Sequence, residues 1–480
     1  MTAHYHSITP DIIQTLQQIV GERYVIYDDP EQLERYGHDE IAGTQYAHSP
    51  DVVVKPGTAE EIAAIVRLAN RENIPVTPRG AGSGLSGGAV PIYGGILLSI
   101  ERLNKVIELD KANMTITVEA GVVTSQINEL LEEHNLFYAG YPMSLETCYI
   151  GGNAAENAGG GKAIKYGVTD RYVQGMEVVL PTGEIVQLGG KRVKDVTGYN
   201  LLHLLVGSEG TLGIFTKITL KLLPLPRAKV DLLVLFNTVD EAMNMVPVIM
   251  TETGIIPTAI EFMDKLSIQT ACQYLNEHLP YEEAGAMLLI EVDGTSEEQV
   301  ELQYEAIGEA CLQQGAIEVY VGDNYTTQER VWSVRRNIAE AFKVDYPVQS
   351  VEDIVVPFAQ IPQLTREIER LSEQYGVLIP TYGHAGDGNL HSTPVKPPDM
   401  SMEAWETVLP TLLTDLYECT AQLGGTISGE HGIGSKRKKF LEIVMQPELI
   451  ELQKRLKLAF DPKNILNPGK IFPDAQFPHR

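Results

Sequence analysis

Cysteine is scarce in this chain. Cys148, Cys272, Cys311 and Cys419 are the only four in 480 residues, far apart and without a CxxC spacing. That excludes an iron–sulfur cluster or a cysteine-based zinc site held by this chain, and it suits a reducing cytosol. Long apolar runs are missing too: no window approaches ~18 uninterrupted apolar residues, so no transmembrane helix is predicted. Positive charge is in deficit, with 37 basic residues against 64 acidic ones and a formal net charge of −27. Such a balance discourages binding to nucleic acid or to an anionic membrane. The first residues, MTAHYHSITPDIIQTLQQIV, lack a basic region followed by an apolar run and are poor in arginine. They read as neither a signal nor a transit peptide, and the expected location is cytoplasmic.

The composition, 44% hydrophobic and 21% charged, is that of a globular protein. Single cores rarely grow beyond ~250–300 residues, so 480 residues imply two or more domains. The first half alternates strands and helices. Thr58 and Glu61 form a capping-box pattern ahead of EIAAIVRLANRE, where Ile62, Ile65, Val66 and Ala69 recur at helical spacing. The strand IPVT runs into a glycine-rich segment; MTITVE (114–119) is a strand, 124–135 a helix, and 176–188 a hairpin around Pro181-Thr182-Gly183. Prolines in LLPLPRAKV (222–230) mark a boundary, after which strands and helices restart as a separate α+β unit with helices near 239–253 and 296–313. A third part begins near residue 426 and ends in an amphipathic helix near 447–459 and DPKNILNPGKIF.

Three glycine-rich segments stand out: PRGAGSGLSGGAVP (78–91), YIGGNAAENAGGGKAIKYG (149–167) and VGSEGTLGIFTKITLKL (206–222). The first is either a flexible loop or a wrap of unobstructed N–H groups around a phosphate, with Ser83 and Ser86 adding hydroxyls. It does not open a helix, which separates it from the Rossmann fingerprint. Three such stretches suit a dinucleotide better than a mononucleotide.

The run YGHAGDGNLH (382–391) carries two histidines across three glycines that argue against a helix. A two-residue turn at Asp387-Gly388 predicts a hairpin that pairs Gly386 with Asn389, Ala385 with Leu390, and His384 with His391. The pair is then either two solvated histidines on a polar loop or a clamp for one metal ion. Likewise Glu430-His431 in SGEHGIG is a surface pair or, between Gly429 and Gly432, part of a site approached by a cofactor.

Taken in order, the three glycine segments with GHAGDGNLH, SGEHGIG and NPGKIF resemble the FAD-linked oxidase family of the vanillyl-alcohol oxidase and p-cresol methylhydroxylase type, in its D-2-hydroxyacid dehydrogenase branch. The resemblance covers about residues 40 to 475. It implies an α+β fold: an FAD-binding domain of the p-cresol methylhydroxylase type with two α+β subdomains (1–225), an α+β antiparallel-sheet substrate domain (226–425), and a C-terminal segment (426–480) returning to the first. It implies that Pro78, Arg79, Gly80, Gly82, Ser83, Gly84, Leu85 and Ser86 hold the FAD pyrophosphate. Pro142, Ser144, Gly152, Asn157, Gly160, Tyr166 and Gly167 line the ribityl and isoalloxazine portion, Glu209, Gly213 and Ile214 lie near the adenine end or mid-section, and Asn467 returns to the flavin ring. The first loop has no histidine, so the FAD is expected to be noncovalent. His384, His391 and Glu430 are implied ligands of a divalent metal (zinc, manganese or iron), His431 the general base and Arg335 the anchor of the substrate carboxylate, with Arg336 solvated. Positions that read a second carboxylate in hydroxyglutarate-oxidising members correspond to Ala339 and Val351, which favours a small monocarboxylate such as D-lactate or glycolate.

The activity so implied is oxidation of a small 2-hydroxy acid, with electrons passed to an external acceptor: an iron–sulfur subunit, an electron-transfer flavoprotein or a quinone. A sugar or aldonolactone oxidase on the same fold, and a non-catalytic electron-transfer subunit, are the alternatives. Neither nucleic acid nor a membrane segment enters this picture, and the oligomeric state, a homodimer included, is left open.

Overall fold

The computed structural model describes residues 5–41 and 43–473. Its chain divides into two units: residues 1–158, 168–225 and 430–480 form the first, and 159–167 with 226–429 form the second.

In the first unit, Thr58 caps the helix Ala59–Glu72 by accepting from the Glu61 N–H, while the Glu61 carboxylate reaches back to the Gly57 N–H. The helix buries Ile62, Ile65, Val66 and Ala69. The strand after it, Val76–Arg79, runs parallel to Ile96–Ser99, so the first glycine segment is a strand-to-strand loop and opens no helix. These strands belong to a four-stranded sheet, and an antiparallel five-stranded sheet contains Thr115–Glu119, Ile214–Lys221 and the hairpin Val173–Val179/Ile185–Gly189.

The second unit is built on a seven-stranded antiparallel sheet. Strand side chains alternate between faces. One face, with Leu232, Val234, Phe236, Leu288, Ile290 and Val292 fully buried, is apolar and packs under the helix Glu297–Gln313. The register places Glu261, His384 and Asn389 in one cross-strand row of the other face, with Met263, Tyr382, His391 and Asp353 two residues along. That second face carries the buried residues Glu261, His384, His391 and Asp353.

Candidate active site

The histidine hairpin has a different register from the one the turn residues predict. Its strands are Thr381–His384 and Asn389–Ser392; His384 pairs with Asn389, and Tyr382 with His391. The loop is four residues long because Ala385–Asp387 winds into a 3₁₀ turn, the Asp387 carboxylate accepts the Asn389 N–H, and Gly388 closes the turn at φ 89°. The shift spans an even number of residues, so the two imidazoles keep a common face as diagonal neighbours. Their ring centres are 5.2 Å apart.

Each histidine has a buried acid beside it. His384 Nδ1 lies 2.7 Å from Glu261 Oε1, and Glu261 Oε2 lies 2.6 Å from Arg335 Nη2. Burial alone would raise the Glu261 carboxyl, but Arg335 and then His384 outweigh it and hold it below the ordinary value. Asp353 Oδ1 sits 3.8 Å from His391 Nδ1 and accepts from the Asn389 amide, while Oδ2 accepts from the Ser428 hydroxyl and the Gly429 N–H. Imidazoles with carboxylates behind them form a donor set suited to a divalent cation. Arg335, at the end of the helix Tyr325–Arg336, is buried with its guanidinium carbon 5.2 Å from the Tyr382 ring centre. Arg336 is exposed and paired with Glu329.

Glu430 and His431 fall in the first unit, with 3.8 Å between Glu430 Oε1 and His431 Nε2. The residues just after them are fastened by Glu209, whose carboxylate accepts from the Ile433 and Gly434 N–H groups. Glu209 is therefore a strut for this segment, a role its glycine-rich surroundings did not announce.

The pyrophosphate candidates cluster as one loop after the strand that ends in Pro78 and Arg79. Arg79 Nη1 donates to the His38 carbonyl at 2.6 Å. Among the described residues, no backbone N–H from Gly80 to Ser86 has a backbone acceptor. Ser86 Oγ and Asn467 Oδ1 are buried without a hydrogen-bond partner among the described residues, and Asn467 Nδ2 donates to the Gly88 and Glu209 carbonyls. Gly152, in the helix Ile150–Glu156, faces open space, and the Gly80 site looks onto it. A row of N–H donors, an orphaned hydroxyl and a side-chain-free wall suit a phosphate, while the Asn467 oxygen can accept only from an N–H or O–H group; FAD offers both kinds of partner and fits them.

Other candidates sit differently. Pro142 precedes the turn 143–147, on which Ser144 lies exposed. Asn157 closes its helix in the left-handed region and accepts the Asp170 N–H. Gly160, Tyr166 and Gly167 belong to the second unit, where the Tyr166 hydroxyl donates to Asp293. Gly213 is required by packing, since a Cβ there would lie 2.5 Å from Val178 Cγ1, and Ile214 opens the following strand.

Sequence reasoning missed Glu261, Asp353 and Glu156. Glu156 Oε2 is buried with no hydrogen-bond partner among the described residues. Burial, then repulsion from Glu209 and Asp39, pushes this carboxyl well above its usual range. The unfolded chain releases this proton as pH rises past the ordinary carboxyl range while the native state keeps it, so wild-type stability declines with rising pH. Glu156→Gln is therefore expected to melt above wild type at pH 8 and to match it near pH 4. Equal melting temperatures at pH 8 would show that Glu156 is ionised at no cost.

Residues 225–471 match the family described as FAD linked oxidases, C-terminal domain, and residues 50–189 match an FAD binding domain. A D-lactate dehydrogenase of Anaerostipes hadrus is 38% identical over 472 residues, covering 97% of this chain and 98% of that protein. The glycolate oxidase subunit GlcD of Bacillus subtilis (strain 168) is 39% identical over 468 residues, covering 97% of each chain. Among solved structures, p-cresol methylhydroxylase with substrate bound superposes with a TM-score of 0.78 at 19% identity, covering 97% of each chain. Fold and site together define a flavoprotein oxidoreductase with an FAD-binding domain and a second, sheet-based domain. The chain belongs to the FAD-linked oxidase family.

Proposed function

We propose that the chain oxidises a small D-2-hydroxy acid, D-lactate or glycolate, to the 2-oxo acid and passes the electrons to a separate acceptor. The observation that carries this reading is the buried His384/His391 pair on the sheet face that also receives Arg335. The relatives named D-lactate dehydrogenase and glycolate oxidase support it.

FAD, when bound, supplies the hydride acceptor. His384, His391 and Glu430 are the proposed ligands of one divalent cation, which supplies Lewis acidity at the substrate oxygens when bound. The remaining work falls to this chain's side chains. Arg335 holds the substrate carboxylate and orients Cα. His431 accepts the hydroxyl proton on its imidazole. Ala339 and Val351 have no charge or hydrogen-bonding side chain to offer a second carboxylate, whose burial unpaired is costly, so a monocarboxylate is preferred.

The acceptor is an iron–sulfur subunit, an electron-transfer flavoprotein or a quinone, because the four cysteines, all free thiols, are widely separated in sequence. Free thiols also fit a cytoplasmic location. Among the described residues no helix is long and apolar enough to cross a membrane.

An anaerobic screen of D- and L-2-hydroxy acids for bleaching of the flavin absorbance tests the reading. Reduction by D-lactate or glycolate is expected; inertness to every 2-hydroxy acid would reject it. The FAD is expected to be noncovalent, since no histidine lies in residues 78–91. Acid precipitation should release all yellow colour into the supernatant, and colour retained in the pellet would contradict this.

A further inference from the structure

We infer that Glu261 is a positioning residue that couples the metal ligand His384 to the anion anchor Arg335. The inference rests on the reading of His384 as a ligand and deepens it. Glu261 is fully buried in the strand Ala259–Asp264, directly opposite His384 in the sheet register. One carboxylate oxygen is 2.7 Å from His384 Nδ1, the other 2.6 Å from Arg335 Nη2. Space for it is reserved by Gly161, where a Cβ would lie 2.4 Å from Glu261 Oε1. That assigns a structural use to one glycine of the 149–167 segment.

The consequences follow from hydrogen-bond polarity. An ionised carboxylate accepts from Nδ1–H, which fixes the tautomer with its lone pair on Nε2 and makes the imidazole a stronger donor to a cation. The second oxygen contacts the guanidinium at Nη2 as an ion pair, which restrains the planar fork while leaving its other N–H groups for a substrate carboxylate. The same ion pair keeps Glu261 charged despite its burial. One side chain therefore sets both the basicity of a ligand and the aim of an anchor.

The test measures zinc affinity of metal-stripped, FAD-bound protein by chelator competition, and pyruvate affinity by the perturbation of flavin absorbance. Glu261→Gln is expected to weaken zinc 10- to 100-fold, as loss of an outer-shell carboxylate does. Arg335→Lys keeps a positive charge beside Glu261 but loses the fork. It is expected to hold zinc within about threefold of wild type while pyruvate binding weakens about tenfold or more. Because Glu261→Gln strands a buried guanidinium, the double variant Glu261→Gln/Arg335→Met, without either charge, is measured beside it and should show the same zinc loss. A merely structural role would lower zinc and pyruvate affinity together in every variant, in step with melting temperature. Wild-type zinc affinity in either the single Glu261→Gln variant or the double variant overturns the coupling. Failure of wild type to bind zinc, or full zinc binding by His384→Ala, overturns the ligand reading and the coupling with it.

Discussion

Replacing His431 with alanine is expected to slow flavin reduction by the 2-hydroxy acid about 10²–10⁴-fold, the usual range for loss of a general base. That is a barrier increase of about 3–5 kcal/mol. The histidine side chain is 14% exposed, accessible to substrate yet shielded enough for its environment to matter. Glu209 holds the two residues after Gly432 through their backbone N–H groups, so alanine at 431 leaves these two hydrogen bonds in place. The loss should therefore appear in the limiting reduction rate, with the apparent dissociation constant of the substrate nearly unchanged. Stopped-flow reduction across substrate concentrations separates the two quantities. Wild-type rates in the variant would reject His431 as the base.

His384→Ala is expected to abolish stoichiometric metal while FAD stays bound. His384 is 2% exposed, and its imidazole is the partner of Glu261 Oε1. Without it, Glu261 keeps Arg335, so the buried carboxylate remains paired and the sheet persists. The loop from Gly80 to Ser86 rests on different strands, in the first unit. Elemental analysis and flavin absorbance on the same sample give metal and FAD per chain. Unchanged metal content would remove His384 from the ligand set, and joint loss of metal and FAD would point to general unfolding.

The elements with local signals were legible in the sequence. The Thr58/Glu61 capping box, the hairpin at 176–188 and the strand-to-strand course of the first glycine loop are read from neighbours a few residues apart. The histidine hairpin was legible as a hairpin but not in register, because the sequence does not show that Ala385–Asp387 adds a 3₁₀ turn. Glu261 was invisible for another reason. It sits in the apolar-looking strand AIEFMD, and its partners are 123 and 74 residues away, so no spacing marks it. Asp353 and Glu209 are alike in this. Each makes contacts 75 or more residues away, at positions set by sheet register and chain return.

The closing of the first glycine segment by residues far downstream bears on the order in which the protein can be made. Gly88 and Val90 give their carbonyls to Asn467 and Lys470, which lie 379 and 380 residues downstream. During synthesis the strands on either side of this loop emerge early, yet these bonds wait until residues 467 and 470 have left the ribosome. Until then the nascent loop has its glycines and no lock, so the proposed cofactor cradle is among the later parts of the first unit to be finished.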